Sequence, residues 1–141
     1  MAITRADSIT QTAKKIETYS DFPNNFTKHP MNNELLILKN EDSIRQSIKN
    51  CILTNIGERF FDPYFGSNIN RSMFENFGPF MVEDMTRYIS KTINDNEPRA
   101  TLLNVQILND PDKNTISVNI VFSIINNPQP ISMTLFLKRV R

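Results

Sequence analysis

Four carboxylates beside predicted helix ends and turns are the residues of this sequence that could do acid–base chemistry. A glycosidase places two carboxyl groups around the scissile bond, one as the acid and the other as base or nucleophile. It also needs an aromatic sugar-binding cleft, whereas this sequence has no tryptophan and only three tyrosines. We therefore favour non-catalytic roles for all four carboxylates, which are Glu58, Asp62, Glu75 and Glu97.

Other catalytic and metal-binding motifs are missing from the sequence. It contains no glycine-rich phosphate loop, no nucleophile elbow and no HExxH pattern. The single histidine, His29, has no neighbouring histidine or cysteine with which to share a metal ion. The single cysteine, Cys51, lies in an apolar helical pattern that is typical of a buried thiol. We predict a protein that is not an enzyme and that holds no cofactor or metal.

Length and charge narrow the class of protein further. The chain has 141 residues, of which 39% are apolar and 22% charged, as expected for one globular domain. Its net charge of +1 lacks the basic excess of a nucleic-acid-binding domain. No apolar run approaches the roughly 20 residues that span a bilayer, and the first residues lack an apolar signal-peptide core. We expect a soluble protein made in a cytosol, with neither nucleic acid nor a membrane as partner.

An acid and a base flank a proline in the segment NDNEPRA, residues 94–100. Pro98 has no N–H and ends the preceding helix. Arg99 presents a planar fork of donors that suits the carbonyls or carboxylates of a partner. Glu97 can orient that fork or accept from the N-terminus of a partner's helix. The alternative is a local surface ion pair worth roughly 0–1 kcal/mol, and the residues alone support both interpretations equally.

Aromatic residues cluster in the segment RFFDPYFG, which ends in a glycine. The residue before a proline is disfavoured in the α region, so Asp62 and Pro63 predict a turn. One interpretation is a hydrophobic corner that joins two helices, and the other is a pocket or plug that meets a partner. The residues assigned to this structural corner are Phe61, Asp62, Pro63, Phe65 and Gly66.

Helical periodicity extends from about residue 41 to residue 96. Isoleucine at every fourth position predicts a helix over 42–56, which Gly57 would end in a left-handed turn. A short helix over 68–75 places Ile69 and Met73 on one side. Pro79 suits the first turn of a third helix, over 79–95. The predicted apolar stripes comprise Ile44, Ile48, Ile52 and Ile56 in the first helix, and Val82, Met85, Ile89 and Ile93 in the third.

Beyond residue 100 the apolar period changes to two, which predicts strands over 101–109, 115–125 and 131–138. One polar and one apolar face indicate a three-stranded antiparallel meander packed on one side. We therefore predict an α+β fold in which the helices cover the apolar face of the sheet. Residues 41–141 would form this single domain, preceded by an extended N-terminal arm over 1–40 with a short strand at 34–39. In the first strand of the sheet, the predicted core-facing residues are Leu103, Val105 and Ile107.

Three stretches, in this order and spacing, resemble the sheath-initiator family of baseplate wedge proteins from contractile-tailed, T4-like phages. They are SIKNCILTNIGERFFDPYFGSNINRSMFEN, NDNEPRA and FSIINNP. This family is also called lysozyme-like and has a counterpart in the type VI secretion baseplate. The resemblance covers about residues 22–137. It implies a structural subunit of the virion's tail baseplate, assembled in the host cytoplasm.

The resemblance also implies partners for two segments of the chain. Glu97, Pro98 and Arg99 would contact the helical bundle of the larger wedge proteins. The C-terminal strand would add to a sheet of the first tail sheath subunit, and tail tube or hub proteins are further expected neighbours. From the residues alone, this strand could equally close its own sheet, because its basic end discourages edge pairing. The expected sheath-joining residues are Ile131, Met133, Leu135, Leu137, Lys138 and Arg139.

Two other functions fit the same elements. The first is a peptidoglycan-degrading, lysozyme-like enzyme that uses Glu58 or Glu97, although the family's older name supplies no catalytic residue for this sequence. The second is a cytosolic adaptor that uses the same fold to bind an unrelated helical partner. Neither accounts for the order of the three stretches as well as a baseplate subunit does.

Overall fold

The computed structural model describes residues 19–110, 114–125 and 127–138. Helices precede a three-stranded antiparallel sheet, which confirms the predicted α+β class. Residues 1–18 of the predicted N-terminal arm and Arg139 lie outside the described residues. The elements are β1 (Ser20–Asp21), β2 (Leu38–Lys39), α1 (Glu41–Leu53), α2 (Ile69–Ser72), α3 (Pro79–Asn96), β3 (Ala100–Asp110), β4 (Thr115–Ile124) and β5 (Asn127–Lys138).

The sheet has the order β3-β4-β5, and its apolar face forms one core with α1, α2 and α3. Side chains of the central strand alternate strictly between buried and half-buried. Burying each large apolar side chain contributes roughly 1.5–3 kcal/mol, so β4 accounts for much of the stability of the core. Its fully buried residues are Ile116, Val118, Ile120 and Phe122.

A β-bulge in β3 overturns one prediction about the core. Leu103 was expected to face the helices, but 54% of it is exposed. Leu102 pairs with Phe122 and Asn104 with Val121, so one extra residue is inserted at position 103. Because an inserted residue reverses the alternation of side chains, Leu102 packs against the core on one side of the bulge and Val105 on the other.

The first helix is shorter than its isoleucine spacing predicts. It ends at Leu53, and Thr54 has extended dihedrals of φ −80° and ψ 132°. Ile44, Ile48 and Ile52 are buried as predicted, whereas Ile56 is 48% exposed beyond the helix. Gly57 does have a positive φ of 85°, but it lies in the following loop and not at the helix C-terminus.

The third helix begins at Pro79, as its proline predicts, and continues to Asn96. Its buried stripe begins at Met81 and not at Val82, which is only half-buried. Met85, Ile89 and Ile93 follow Met81 at intervals of four residues. Only Val82 was therefore wrong in the predicted stripe. The second helix is a single turn, shorter than the predicted 68–75, with Ile69 buried and Met73 packed against the core.

The predicted strand at 34–39 is reduced to β2, which pairs with β1 in a two-stranded antiparallel ribbon. Leu35, nearer the start of the predicted strand, makes only an isolated bridge with Lys28. No helix in the described ranges is both long enough and apolar enough to cross a membrane.

Candidate functional site

The segment 97–99 forms a tight corner between α3 and β3. The N–H of Glu97 makes the last helical hydrogen bond, to the oxygen of Ile93 at 2.8 Å. The N–H of Ala100 donates to the oxygen of Glu97 at 3.2 Å, and the N–H of Ile125 donates to the oxygen of Arg99 at 3.2 Å. The corner is therefore tied both to the helix and to the end of β4, which fixes the direction of its side chains.

Within this corner, Glu97 and Arg99 form a bidentate ion pair. Arg99 Nε donates to Glu97 Oε1 at 2.6 Å, and Arg99 Nη2 donates to Glu97 Oε2 at 2.7 Å. Glu97 is 2% exposed, whereas 35% of the Arg99 side chain is exposed. The guanidinium carbon also lies 5.3 Å from the centre of the Tyr19 ring. The structure thus replaces the surface pair considered from the sequence with an interior carboxylate that holds a partly exposed arginine.

The electrostatics of the corner keep Glu97 charged. Burial by itself would raise the pKa of the carboxyl, but hydrogen bonds from Arg99 and Ser47 and the charge of Arg99 outweigh it, so the pKa is lowered. The hydrogen bond to Glu97 raises the pKa of Arg99. Burial, and then the charge of Glu97, raise the pKa of the nearby Cys51 thiol. A glycosidase acid needs a raised pKa, so Glu97 is unsuited to that role.

The other three carboxylates considered for catalysis lie on the surface. Glu58 Oε2 accepts a hydrogen bond from the N–H of Asn55 at 2.8 Å, which closes the turn after α1. Asp62 and Glu75 are exposed. In the part of the chain that the structure describes, no group of three or more His, Cys, Asp or Glu side chains could hold a metal ion.

The predicted aromatic corner lies in a closed loop over residues 55–67, here called the aromatic loop. Its ends meet where Asn55 bridges to Ser67, and the N–H of Gly57 donates to the oxygen of Pro63 at 2.9 Å. Phe65 is half-buried beneath Arg59, whose guanidinium carbon lies 3.5 Å from the ring centre. The other three rings are 98%, 104% and 87% exposed, so most of the cluster faces solvent: Phe60, Phe61 and Tyr64.

Gly66 fixes how the aromatic loop returns to the core. Its φ is +116°, and a Cβ at this position would lie 2.5 Å from the backbone oxygen of Thr54. The Thr92 hydroxyl of α3 donates to the oxygen of Gly66 at 3.2 Å. The sequence predicted a glycine turn here, but the close approach of two backbones is visible only in the structure.

The predicted sheath-joining strand is β5, an outer strand of the sheet. Ile131, Leu135 and Leu137 are buried in the core, Met133 packs partly against it and Lys138 is exposed. The outer edge of β5 is therefore unpaired with any described strand, and its opposite face is exposed, whereas these apolar side chains face the core.

The sequence reasoning overlooked Phe136, which is 74% exposed on the opposite face of β5. It is aligned with Ser117 on β4, which is itself paired with Leu108 on β3. Leu108 is 65% exposed. The signal available in the sequence was a phenylalanine at a position that the alternation of β5 assigns to the polar face.

Comparisons with known proteins show which family and which fold this chain shares. A family model described as baseplate wedge protein gp25 matches residues 39–129. Baseplate wedge protein gp25 of Enterobacteria phage T4 is 37% identical over 89 residues, which cover 63% of this chain and 67% of the phage protein. The residues that the family model matches include both the aromatic loop and the Glu97–Arg99 corner.

Solved structures share the fold at lower sequence identity. A candidate tail lysozyme from Geobacter sulfurreducens superposes with a TM-score of 0.70 at 19% identity, covering 75% of this chain and 97% of that one. A chain of the anti-feeding prophage baseplate gives a TM-score of 0.61 at 17% identity, covering 87% of each chain. These likenesses show that the fold is shared by these proteins. The chain belongs to the baseplate wedge protein gp25 family and is a baseplate wedge protein of contractile, phage-like tails.

Proposed function

We propose that this protein joins the inner proteins of the baseplate wedge to the tail sheath, and that it starts sheath assembly through β5. The observation that carries the proposal is the free edge of β5, since no other strand in the described ranges pairs with it on that side. Unpaired backbone groups at a sheet edge bind added strands through main-chain hydrogen bonds. Burial of the core-facing side chains anchors β5, so that an added strand meets a rigid template.

The wedge contact would be made by Pro98 and Arg99, with Glu97 acting as a positioning residue. Glu97 occupies two N–H groups of the guanidinium and fixes its plane. About a third of the Arg99 side chain is exposed, so guanidinium N–H groups that Glu97 does not bind can reach a partner. An oriented guanidinium loses less side-chain entropy on binding than a free one. This arrangement supports a contact with carbonyl or carboxylate oxygens at the ends of wedge helices.

The aromatic loop would form a second contact within the baseplate. Three rings in one closed loop are almost fully exposed, and such clusters on soluble proteins mark interaction sites. Burying aromatic rings dominates the energetics of many interfaces. This supports the interpretation in which the cluster meets a partner.

Site-specific crosslinking tests the sheath contact. Truncation before Ile131 is unsuitable because it would remove Leu135 and Leu137 from the core. A photocrosslinker on Thr134→Cys of β5 should capture the sheath protein of the same virion. Gln106→Cys is the matched control: it is exposed and lies in the same row of the sheet, across Asn119, but on the opposite edge strand. Equal capture at both positions, or capture at Gln106→Cys alone, would contradict the proposal.

The wedge contact is tested by a variant that removes both charges and keeps the shape of the corner. Glu97→Gln with Arg99→Gln should fold and should lose most of its binding to the assembled wedge. The control is Asp84→Asn with Arg87→Gln, which removes an exposed ion pair of 2.7 Å from α3. If both double variants bind the wedge equally, the corner is not a docking site.

A further inference from the structure

A groove of about 380 Å³ lies between α1, the turn at residues 23–25 and the middle of β5. This volume is within the range of roughly 300–1,000 Å³ that is typical of small-ligand pockets. Its lining residues are Pro23, Asn24, Asn25, Arg45, Gln46, Lys49, Met133, Thr134 and Leu135.

The groove opens along the free edge of β5. Met133 and Leu135 point to the core face of the sheet, whereas Thr134 points to the opposite face. Successive residues of a strand can line one groove only where the groove runs beside the backbone itself. A strand that added to β5 would therefore pass directly over this groove.

One wall of the groove is held rigidly against α1. Gln46 Oε1 accepts from the N–H of Asn24 at 3.0 Å, and Gln46 Nε2 donates to the oxygen of Phe22 at 2.6 Å. The side-chain amides of Asn24 and Asn50 donate to each other at 2.7 and 3.2 Å. Gln46 and Asn50 thus use their polar atoms to fix the 23–25 turn, and the groove is formed before any partner arrives.

The remaining polar side chains of α1 in the groove are two cations one helical turn apart, Arg45 and Lys49. Neither makes an ion pair with any residue that the structure describes, and no carboxylate lines the groove. Arg45 Nε is buried and has no hydrogen-bond partner within the described ranges. A partly buried guanidinium attracts an anion more strongly than a fully solvated one, because the effective dielectric constant is lower. The groove thus presents positive charge to an incoming chain.

We propose that this groove binds the side-chain carboxylate of an aspartate or glutamate on the strand that adds to β5. The inference rests on the proposed sheath contact and specifies its register. Main-chain hydrogen bonds would hold the added strand in any register that keeps its alternation. A carboxylate between Arg45 and Lys49 selects one of these registers, because every other register leaves both cations unpaired.

Binding of the purified sheath protein of the same virion to the full chain tests this assignment. Arg45→Gln with Lys49→Gln should weaken binding about tenfold or more at low salt. The loss should shrink at high salt, where charge pairs are screened. Lys91→Gln, an exposed lysine on α3, is the control and should bind like the unmodified chain. Lys49→Glu reverses an exposed charge without disturbing the core and should weaken binding further than Lys49→Gln.

The outcomes separate this inference from the function on which it rests. If the unmodified chain binds sheath and the double variant, with an unchanged Tm, binds equally well at low salt, the carboxylate site is overturned and the edge contact stands. A loss that is the same at low and high salt also overturns the charge assignment. If the unmodified chain fails to bind sheath, both alone and within the assembled wedge, the proposed function and this inference fall together.

Discussion

At the Glu97–Arg99 corner a buried carboxylate binds a partly exposed guanidinium, whereas in the aromatic loop three aromatic rings contact solvent. If burial followed polarity alone, the carboxylate would lie on the surface and the aromatic rings would lie in the core. The difference follows from the backbone. The corner turns back over α1, where Ser47 and Arg99 satisfy a buried carboxylate, while the loop closes on itself and leaves its tip no surface to cover.

Side-chain type alone therefore does not determine which residues of this chain are exposed. The buried carboxylate holds Arg99 through two hydrogen bonds, and the exposed rings carry apolar area that folding does not bury. Each region should therefore respond differently to mutation: the corner through stability as well as wedge binding, and the tip of the aromatic loop through assembly alone.

The largest loss of stability is expected from Gly66→Ala, which tests the close approach of Gly66 to Thr54 at the end of the aromatic loop. Strain at φ +116° and a contact of 2.5 Å with the Thr54 oxygen should lower the free energy of unfolding by about 3 kcal/mol or more. Gly57→Ala in the same loop meets no atom within 4 Å at φ +85°, so it should cost only about 1 kcal/mol. Chemical denaturation of both variants measures the difference, and equal losses would show that the close approach is unimportant.

Arg99→Ala comes next, since it leaves a buried carboxylate without its partner. Removing one member of a buried pair costs roughly 3–5 kcal/mol. We expect about 2–3 kcal/mol here, because a third of the Arg99 side chain is exposed and solvent screens it. Arg59→Ala, which removes the cation over Phe65 in the aromatic loop, should cost about 1 kcal/mol or less. Urea unfolding measures both losses. If Arg59→Ala lost more free energy of unfolding than Arg99→Ala, the comparison between the two regions would be reversed.

Acidification should weaken the corner selectively. The folded pKa of Glu97 is lowered from its ordinary value of 4.5, so its charge stabilises the protein fully above that pH. This contribution is lost as the pH falls from 4.5 toward the lower folded pKa. At pH 7 the unmodified chain should be more stable than Glu97→Gln, and the gap should narrow below pH 4.5. Thermal unfolding across this range measures the gap, and a constant gap would contradict the assignment.

The smallest effect on stability is expected from Phe61→Ser at the tip of the aromatic loop. The ring is fully exposed, so the free energy of unfolding should change by less than about 0.5 kcal/mol. Incorporation of the protein into assembled baseplates should nevertheless fall, because the lost ring would have been buried against a neighbour. Electron microscopy of assembled particles checks incorporation. A variant that is destabilised but assembles normally would place the ring in the fold and not at an interface.

Much of the fold could be predicted because the spacing of apolar residues along the chain determines it. Ile44, Ile48 and Ile52 share one helix face, and Ile116 to Phe122 alternate in the central strand, as their spacing requires. The predictions failed where a single residue changes the phase of the apolar pattern or where a helix ends early. The bulge at Leu103 and the early end of α1 before Ile56 depend on pairing with distant strands and on the path of the following loop. Neither is visible in a local pattern.

The sequence by itself determined the class of the fold, the turn at Pro98 and the family, because periodicity, proline and ordered motifs are local properties of the chain. Only the tertiary structure decided that Glu97 is buried and Arg99 partly exposed, since both depend on α1 lying against the corner. It also decided that Arg45 and Lys49 meet the edge of β5, more than 80 residues away along the chain. Long-range packing brings these groups together, and no spacing within one element encodes such a contact.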